Sequence, residues 1–263
     1  MTGTAAEVIK TNDDGRQLIA VVTGASTGIG EATARRLRAD GWIVYAVARR
    51  AERLEALAQE TGAIPAATDI TDPAQVEALR DRVLQERGTV DALVNVSGGA
   101  RGTDSVGQAK DQDWEFMFEV NVMGTMRLTR AFLPALSENG EGTILNLTST
   151  AAEHAYEGGG GYNAAKSAQR ALTQALRLEE AEHNIRVIEV APGMVRTPEF
   201  SLRRLGDQGA ADKVYAGVSK PLTAEDVAGV CAYAVNLPHH VDLDLITMRP
   251  VAQAAQHKVI RES

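Results

Sequence analysis

Between Leu18 and Met248 the chain alternates between two kinds of segment. Short, mainly apolar stretches occupy Leu18 to Val22, Trp42 to Val47, Ala63 to Ala67, Ala92 to Val96, Thr143 to Leu147, Ile185 to Val190 and Leu243 to Met248. Longer stretches between them predict helices over Glu31 to Ala39, Arg53 to Glu60, Pro73 to about Arg87, Trp114 to Leu136, Asn163 to Glu182 and Ala224 to Asn236. The third helix opens on Asp72-Pro73, a capping side chain followed by proline in the first turn. A strand without polar alternation must be covered on both faces, and helices between such strands provide that cover.

The pattern predicts a single-domain Rossmann-like α/β fold over residues 17–248, a doubly wound parallel sheet with helices on both faces. Residues 1–16, polar and aperiodic, read as a flexible N-terminal tail, and 249–263 as a C-terminal tail. A formal net charge of −8 with no basic stripe argues against a nucleic-acid partner. The single cysteine, Cys231, rules out an intramolecular disulfide framework and sits among apolar residues as a core position. No apolar run approaches the roughly 20 residues of a membrane helix, and Met1 to Arg16 lacks a signal-peptide core. A cytoplasmic protein without a membrane partner is expected.

Doubly wound sheets bind ligands at the carboxyl ends of their strands, so the turns there come first. The first is Thr23-Gly24-Ala25-Ser26-Thr27-Gly28-Ile29-Gly30. Its glycines allow a sharp turn and let a pyrophosphate approach the free N–H groups of the following helix. At the end of the second strand, where an acidic side chain would bond the ribose of NAD, the sequence reads Val47-Ala48-Arg49-Arg50. Arginine there suits the 2′-phosphate of NADP, so NADP(H) is the expected cofactor.

Farther along, Tyr162 and Lys166 stand four residues apart in Tyr162-Asn163-Ala164-Ala165-Lys166, on one face of a helix. The ammonium is expected to lower the phenol pKa by its charge, toward proton transfer near neutrality. Ser149, just past an apolar strand, is placed to donate to the oxygen of a carbonyl under reduction.

On these motifs the chain, from about Leu18 to Met248, resembles the short-chain dehydrogenase/reductase family. The matching residues are the TGASTGIG turn, Asp69 after the third strand, Asn121 in NVMG, Ser149, the YNAAK motif and Pro192-Gly193. The resemblance implies Tyr162 as catalytic acid/base, Lys166 on the nicotinamide ribose, Ser149 on the carbonyl, and Asn121 holding a water that relays protons from Lys166. It implies Asp69, with Ile70 beside it, at the adenine, and Pro192 to Thr197, including Val195, near the nicotinamide. Where the family usually has Asn-Asn-Ala-Gly after the fourth strand, this chain has Asn95-Val96-Ser97-Gly98. Asn95 and Gly98 are kept for the cofactor, while Ser97 is expected to narrow or polarise the substrate site.

The segment 194–218 corresponds to a substrate lid. Its EFSLRRLGD, with the tail NLPHHVDLDLITMRPVAQ, is similar to NADP-dependent serine and 3-hydroxy acid dehydrogenases. Arg204 is then the expected carboxylate clamp, with Arg203 or Arg196 as substitutes, because a planar guanidinium meets two oxygens at once. Glu153 and His154 are expected to line the pocket. The other histidines show no ligand spacing, and no metal is expected. The resemblance further implies a homodimer or homotetramer, paired through the two long helices, with the tail after Arg249 reaching a neighbour. The reading is an NADP(H)-dependent enzyme interconverting a secondary alcohol and a carbonyl on a small 3-hydroxy acid. A broad ketoreductase for neutral ketones, β-keto esters or acyl-carrier substrates is the rival enzyme. A non-catalytic NADP-sensing protein would be expected to have lost Tyr162 or Lys166.

Overall fold

The computed structural model describes residues 8–262. Seven strands form one parallel sheet: β1 (Ile19–Thr23), β2 (Ile43–Ala48), β3 (Ile64–Ala67), β4 (Ala92–Asn95), β5 (Thr143–Leu147), β6 (Arg186–Pro192) and β7 (Leu245–Met248). Their order is β3-β2-β1-β4-β5-β6-β7, so the winding reverses between β1 and β4. The crevice at that reversal is where such a sheet binds a nucleotide.

The apolar runs are buried on both faces because alternate residues enter two different cores. Ala20 and Val22 of β1 pack with Ala34 and Leu37 of α1 (Gly28–Ala39), Leu54 of α2 (Ala51–Thr61) and Val227 and Cys231 of α9 (Ala224–Asn236). Ile19 and Val21 face the other way, against Val76 and Val83 of α3 (Pro73–Arg87). Phe132 of α5 (Gly124–Asn139) and Leu176 of α6 (Gly160–Glu180) complete that layer. Helix α3 keeps the boundaries written in its ends: Asp72 accepts from Ala74 N at 2.9 Å, and Gly88 closes it at φ +75°.

Four segments differ from expectation. The long helix anticipated over 114–136 is α4 (Asp111–Phe118) and α5 joined by a π-helical turn, Glu119–Met123. The widened turn holds Asn121, whose side chain bonds the loop after β4, and such π-turns gather at functional sites. The segment 194–218, expected as a lid, contains two short helices, α7 (Phe200–Leu205) and α8 (Gln208–Tyr215), separated by Gly206 at φ +71° and the cap Asp207. Residues 8–16 are no free tail. Lys10 N bonds Gly41 O and Leu18 N bonds Lys10 O. Arg16 forks onto buried Asp91 at 2.8 and 2.5 Å. Residues 1–7 of the expected tail lie outside the described residues. The C-terminal segment folds back on its own chain as a hairpin, β8 (Gln253–Ala255) with β9 (Lys258–Val259). It reaches the lid, where Glu262 N donates to Gly217 O at 2.7 Å. Among the described residues no helix is long and apolar enough to cross a membrane.

Candidate active site

The turn between β1 and α1 needs its glycines. Gly24 and Gly28 stand at φ +71° and +57°, and a Cβ on Gly30 would collide with the Gly24 carbonyl oxygen. Thr23 ends β1 and ties this turn to the next: its Oγ1 accepts Val96 N and Ser97 N, both at 3.0 Å. Thr27 caps α1 with no side-chain bond to the helix, leaving the helix dipole directed at the crevice. Thr197, from the lid base, lies 3.4 Å from the place a Cβ of Gly28 would take.

The two arginines after β2 have different partners. Arg49 is 59% exposed and lies 3.9 Å from the Asp69 carboxylate. Arg50 donates to Ser26 Oγ at 2.9 Å and to Glu199 at 2.7 Å. Glu199 also takes Arg53 at 2.6 Å and Arg203 at 2.7 Å. Burial opposes its charge, but the Arg50 hydrogen bond and the charges of Arg203, Arg50 and Arg53 hold the carboxyl below its ordinary range. Arg203, expected as a substitute clamp, is paired with Glu199.

The crevice floor fits a dinucleotide in the same way. Asp69 Oδ1 accepts Thr71 N and Oγ1, and buried Ile70 packs against Gly124. Asn95 Nδ2 bonds Asn146 Oδ1 at 2.9 Å. A Cβ on Gly98 would stand 2.6 Å from Asn121 Oδ1 and 3.4 Å from Lys166 Nζ, so the backbone is bare where the crevice meets the candidate catalytic residues. On the other side Gly193, after Pro192, leaves room for Gln253, whose Oε1 accepts Met194 N at 2.7 Å. Val195 bridges Leu222, and its carbonyl accepts the Tyr215 hydroxyl. Bare glycines, an open helix terminus and an exposed arginine where a 2′-phosphate would lie form a cradle suited to NADP.

Ser149, Tyr162 and Lys166 come together from the end of β5 and the first two turns of α6. Ser149 Oγ accepts Ala151 N at 3.1 Å and donates to Pro192 O at 3.4 Å. Tyr162 is 8% and Lys166 4% exposed. Lys166 Nζ donates to Leu147 O at 3.0 Å and to Gln169 Oε1 at 2.8 Å, and lies 5.9 Å from the Tyr162 ring centre. Gln169 Nε2 donates to Thr125 Oγ1, and that hydroxyl donates to the Asn121 carbonyl. Lys166 and Asn121 are thereby joined by an unbroken hydrogen-bonded chain. The Asn121 side chain meanwhile bonds Gly99 O at 2.8 Å and Met117 O at 2.6 Å.

Burial moves both titrating groups toward neutrality. It lowers Lys166 to about 7, against the opposing charge of Glu189. It raises Tyr162, with Tyr156 adding to the rise, while the Ser149 hydroxyl and the Arg204 charge pull it down. The sequence assigned that last effect to Lys166. In the structure its ammonium points toward the Leu147 carbonyl and Gln169 but stands 5.9 Å from the Tyr162 ring centre, as near as the Arg204 guanidinium at 5.7 Å, so two cations face the phenol.

Phe200 and Arg204, four residues apart on α7, both reach Tyr162. The Phe200 ring meets it edge-on, centres 5.7 Å apart, and the Arg204 guanidinium lies 5.7 Å from its ring centre. Arg204 also donates to Tyr156 Oη at 2.7 Å, Gly158 O at 3.1 Å and Gly102 O at 3.2 Å. The cavity beside Tyr162 and Arg204 measures about 20 Å³. Glu153 and His154, expected at the pocket, are exposed and 3.7 Å from one another, because the 3₁₀ turn after Ser149 carries them outward. Arg196 lies over the Tyr215 ring. Sequence reasoning missed Phe200, Tyr156, Gln169 and Glu199; only the four-residue spacing of Phe200 and Arg204 could have signalled one of them.

Comparison with known proteins identifies the family. A family model described as short chain dehydrogenase matches residues 18–206. An uncharacterized oxidoreductase of Mycobacterium tuberculosis is 52% identical over 241 residues, 91% of this chain and 94% of the relative. An NADP-dependent 3-hydroxy acid dehydrogenase of Salmonella typhi is 37% identical over 240 residues, 90% and 96% of the two chains. The closed form of serine dehydrogenase complexed with NADP+ superposes with a TM-score of 0.88 at 36% identity, covering 94% of this chain and all of the other. The chain belongs to the short-chain dehydrogenase/reductase family and is an oxidoreductase of that family, which uses a nicotinamide cofactor.

Proposed function

We propose that this protein interconverts a secondary alcohol and a carbonyl on a small 3-hydroxy acid, with NADP(H) as cofactor. The observation that carries the reading is a lid guanidinium, Arg204, held within the cleft that contains Ser149, Tyr162 and Lys166. A fixed cation there favours an anionic substrate over a neutral one. Relatives named for serine and for 3-hydroxy acids support the same substrate class.

The phosphate turn, Arg49, Ile70, Asn95 and the Pro192–Thr197 segment would hold the dinucleotide. When bound, the nicotinamide supplies or accepts the hydride. The chain does the rest. Tyr162 Oη exchanges the proton with the substrate oxygen, and Ser149 Oγ turns from Pro192 O to donate to that same oxygen. Lys166 would exchange protons with Tyr162, and a water held by Asn121 would carry them between Lys166 and solvent, while the bonds through Gln169 and Thr125 fix the Lys166 side chain. The α4–α6 surface supports the expected homodimer or homotetramer, since it carries a shallow depression lined by Trp114, Phe118 and Ala164. A cytoplasmic location fits the same reading.

One observation favours the neutral-ketone alternative: Arg204 already gives three donors to protein oxygens. The two readings separate in one assay, NADP⁺ reduction at 340 nm with L-serine, D-serine, L-allo-threonine, 3-hydroxypropionate, 3-hydroxyisobutyrate and neutral secondary alcohols. Turnover on the charged hydroxy acids is expected. Activity confined to the neutral alcohols overturns the substrate assignment and leaves the chemistry in place.

A further inference from the structure

Recognition of a carboxylate needs a guanidinium with N–H groups still to give. Arg204 bonds protein oxygens through every nitrogen of its guanidinium: Nε on Gly102 O, Nη1 on Tyr156 Oη and Nη2 on Gly158 O. A second arginine, Arg101 in the loop after β4, lines the same cavity beside Tyr162. Arg101 has no hydrogen bond or ion pair with any described residue. Its guanidinium carbon stands 3.7 Å from the centre of the Phe116 ring, a separation that suits a planar cation lying flat on an aromatic face. In that arrangement the N–H groups radiate from the rim and the ring takes none of them.

The loop that carries Arg101 is fixed from two sides. Asn121 Nδ2 donates to Gly99 O at 2.8 Å, and Gly99 N donates to Asn121 Oδ1 at 3.2 Å. Gly102 N donates to Arg204 O at 3.0 Å. Phe116 Cε1, on α4, lies 3.5 Å from the place a Cβ of Gly99 would take, so the ring fills the space that glycine leaves beside the loop. A cation with a pinned backbone, a stacked head and unused donors loses little freedom when an anion arrives. With Asp104 paired to Lys110 at 3.9 Å, the cavity lining still carries Arg101 and Arg204 against Asp113.

We propose that Arg101 is the residue that meets the substrate carboxylate, a specificity-determining cation standing on Phe116, while Arg204 fastens α7 to the loops around it. The proposal rests on the reading of the substrate as a small 3-hydroxy acid and deepens it by naming the group that recognises the acid. In such a substrate one carbon separates the carbinol from the carboxyl. The recognising cation must therefore border the cavity that holds the phenol, and Arg101 does.

The test compares oxidation of 3-hydroxybutyrate with that of its methyl ester, which keeps the carbinol and removes the charge. In R101Q the acid-to-ester ratio of kcat/KM is expected to fall about twentyfold, mainly through KM for the acid. R101K keeps a point charge without the fork and is expected to fall between R101Q and the wild type. Added salt is expected to raise KM for the acid in the wild type but not in R101Q. If R101Q slows acid and ester alike, Arg101 is a wall of the cleft and the proposal fails. If R204Q lowers the ratio and R101Q does not, the clamp is Arg204 and the proposal fails equally. The parent reading has its own refutation. A wild type that turns over the ester and not the acid overturns the 3-hydroxy acid assignment, and the proposal with it.

Discussion

Lys166 gives a prediction whose size follows from its burial. In the folded chain it is lowered to about 7, with removal from water as the main cause; in the unfolded chain it titrates near its model value of about 10.4. Between those two pH values the unfolded state binds the proton and the folded state does not. Stability contributed by this group therefore rises as pH rises from about 7 to about 10.4, and below 7 the folded state carries the full penalty of a buried ammonium. The window of about 3.4 units corresponds to about 4–5 kcal/mol. Lys166→Met removes the ammonium with little change in volume, but leaves Leu147 O and Gln169 Oε1 without their donor, at about 1–3 kcal/mol each. That loss does not vary with pH. Urea unfolding of the wild type and K166M at pH 6 and pH 10 then has a definite outcome. The difference in unfolding free energy should change by about 4 kcal/mol between the two pH values, K166M being relatively more stable at pH 6 and devoid of activity throughout. A difference that is constant within 1 kcal/mol would refute the argument, and Lys166 would then have to keep its charge in the folded protein at no cost.

Arg49→Gln should weaken NADPH binding by about tenfold in a fluorescence titration and leave NADH unchanged, since Arg49 is the exposed guanidinium and Arg50 is committed to Ser26 and Glu199. Equal losses for both dinucleotides would remove Arg49 from the 2′-phosphate. Asp91→Ala strips the partners of Ile19 N, Arg16 and Asn139 at the start of β1, and should cost about 3 kcal/mol in urea unfolding. A cost below 1 kcal/mol would show that residues 8–16 are not fastened there.

Much of the fold was legible because its signals are local. Apolar strand runs, the Asp72-Pro73 cap and the glycine turn each act over a few residues, and every strand anticipated over 17–248 is present, as is every helix except the long one over 114–136, which a π-helical turn divides. The lid helices α7 and α8 were not anticipated, because six- and eight-residue helices carry too few turns for a periodic pattern. The ordering of residues 8–16 depends on Asp91, some 75 positions away in sequence. No local pattern reports such a pairing.

The same division runs through the site. Residue type and spacing alone identified Ser149, Tyr162 and Lys166, and the structure brings them together. Chemical type also placed arginines at the end of β2 and in the lid, but which of them is free was decided by tertiary packing. Glu199 draws Arg50 and Arg203 to the base of the lid, and the loops carrying Gly102, Tyr156 and Gly158 hold Arg204 over the phenol. A charge acts through space and through what surrounds it, so its effect depends on neighbours that the chain order does not reveal. The sequence alone determined the sheet, the glycine turn and the candidate site residues; the folded chain decided what each arginine and lysine among them touches.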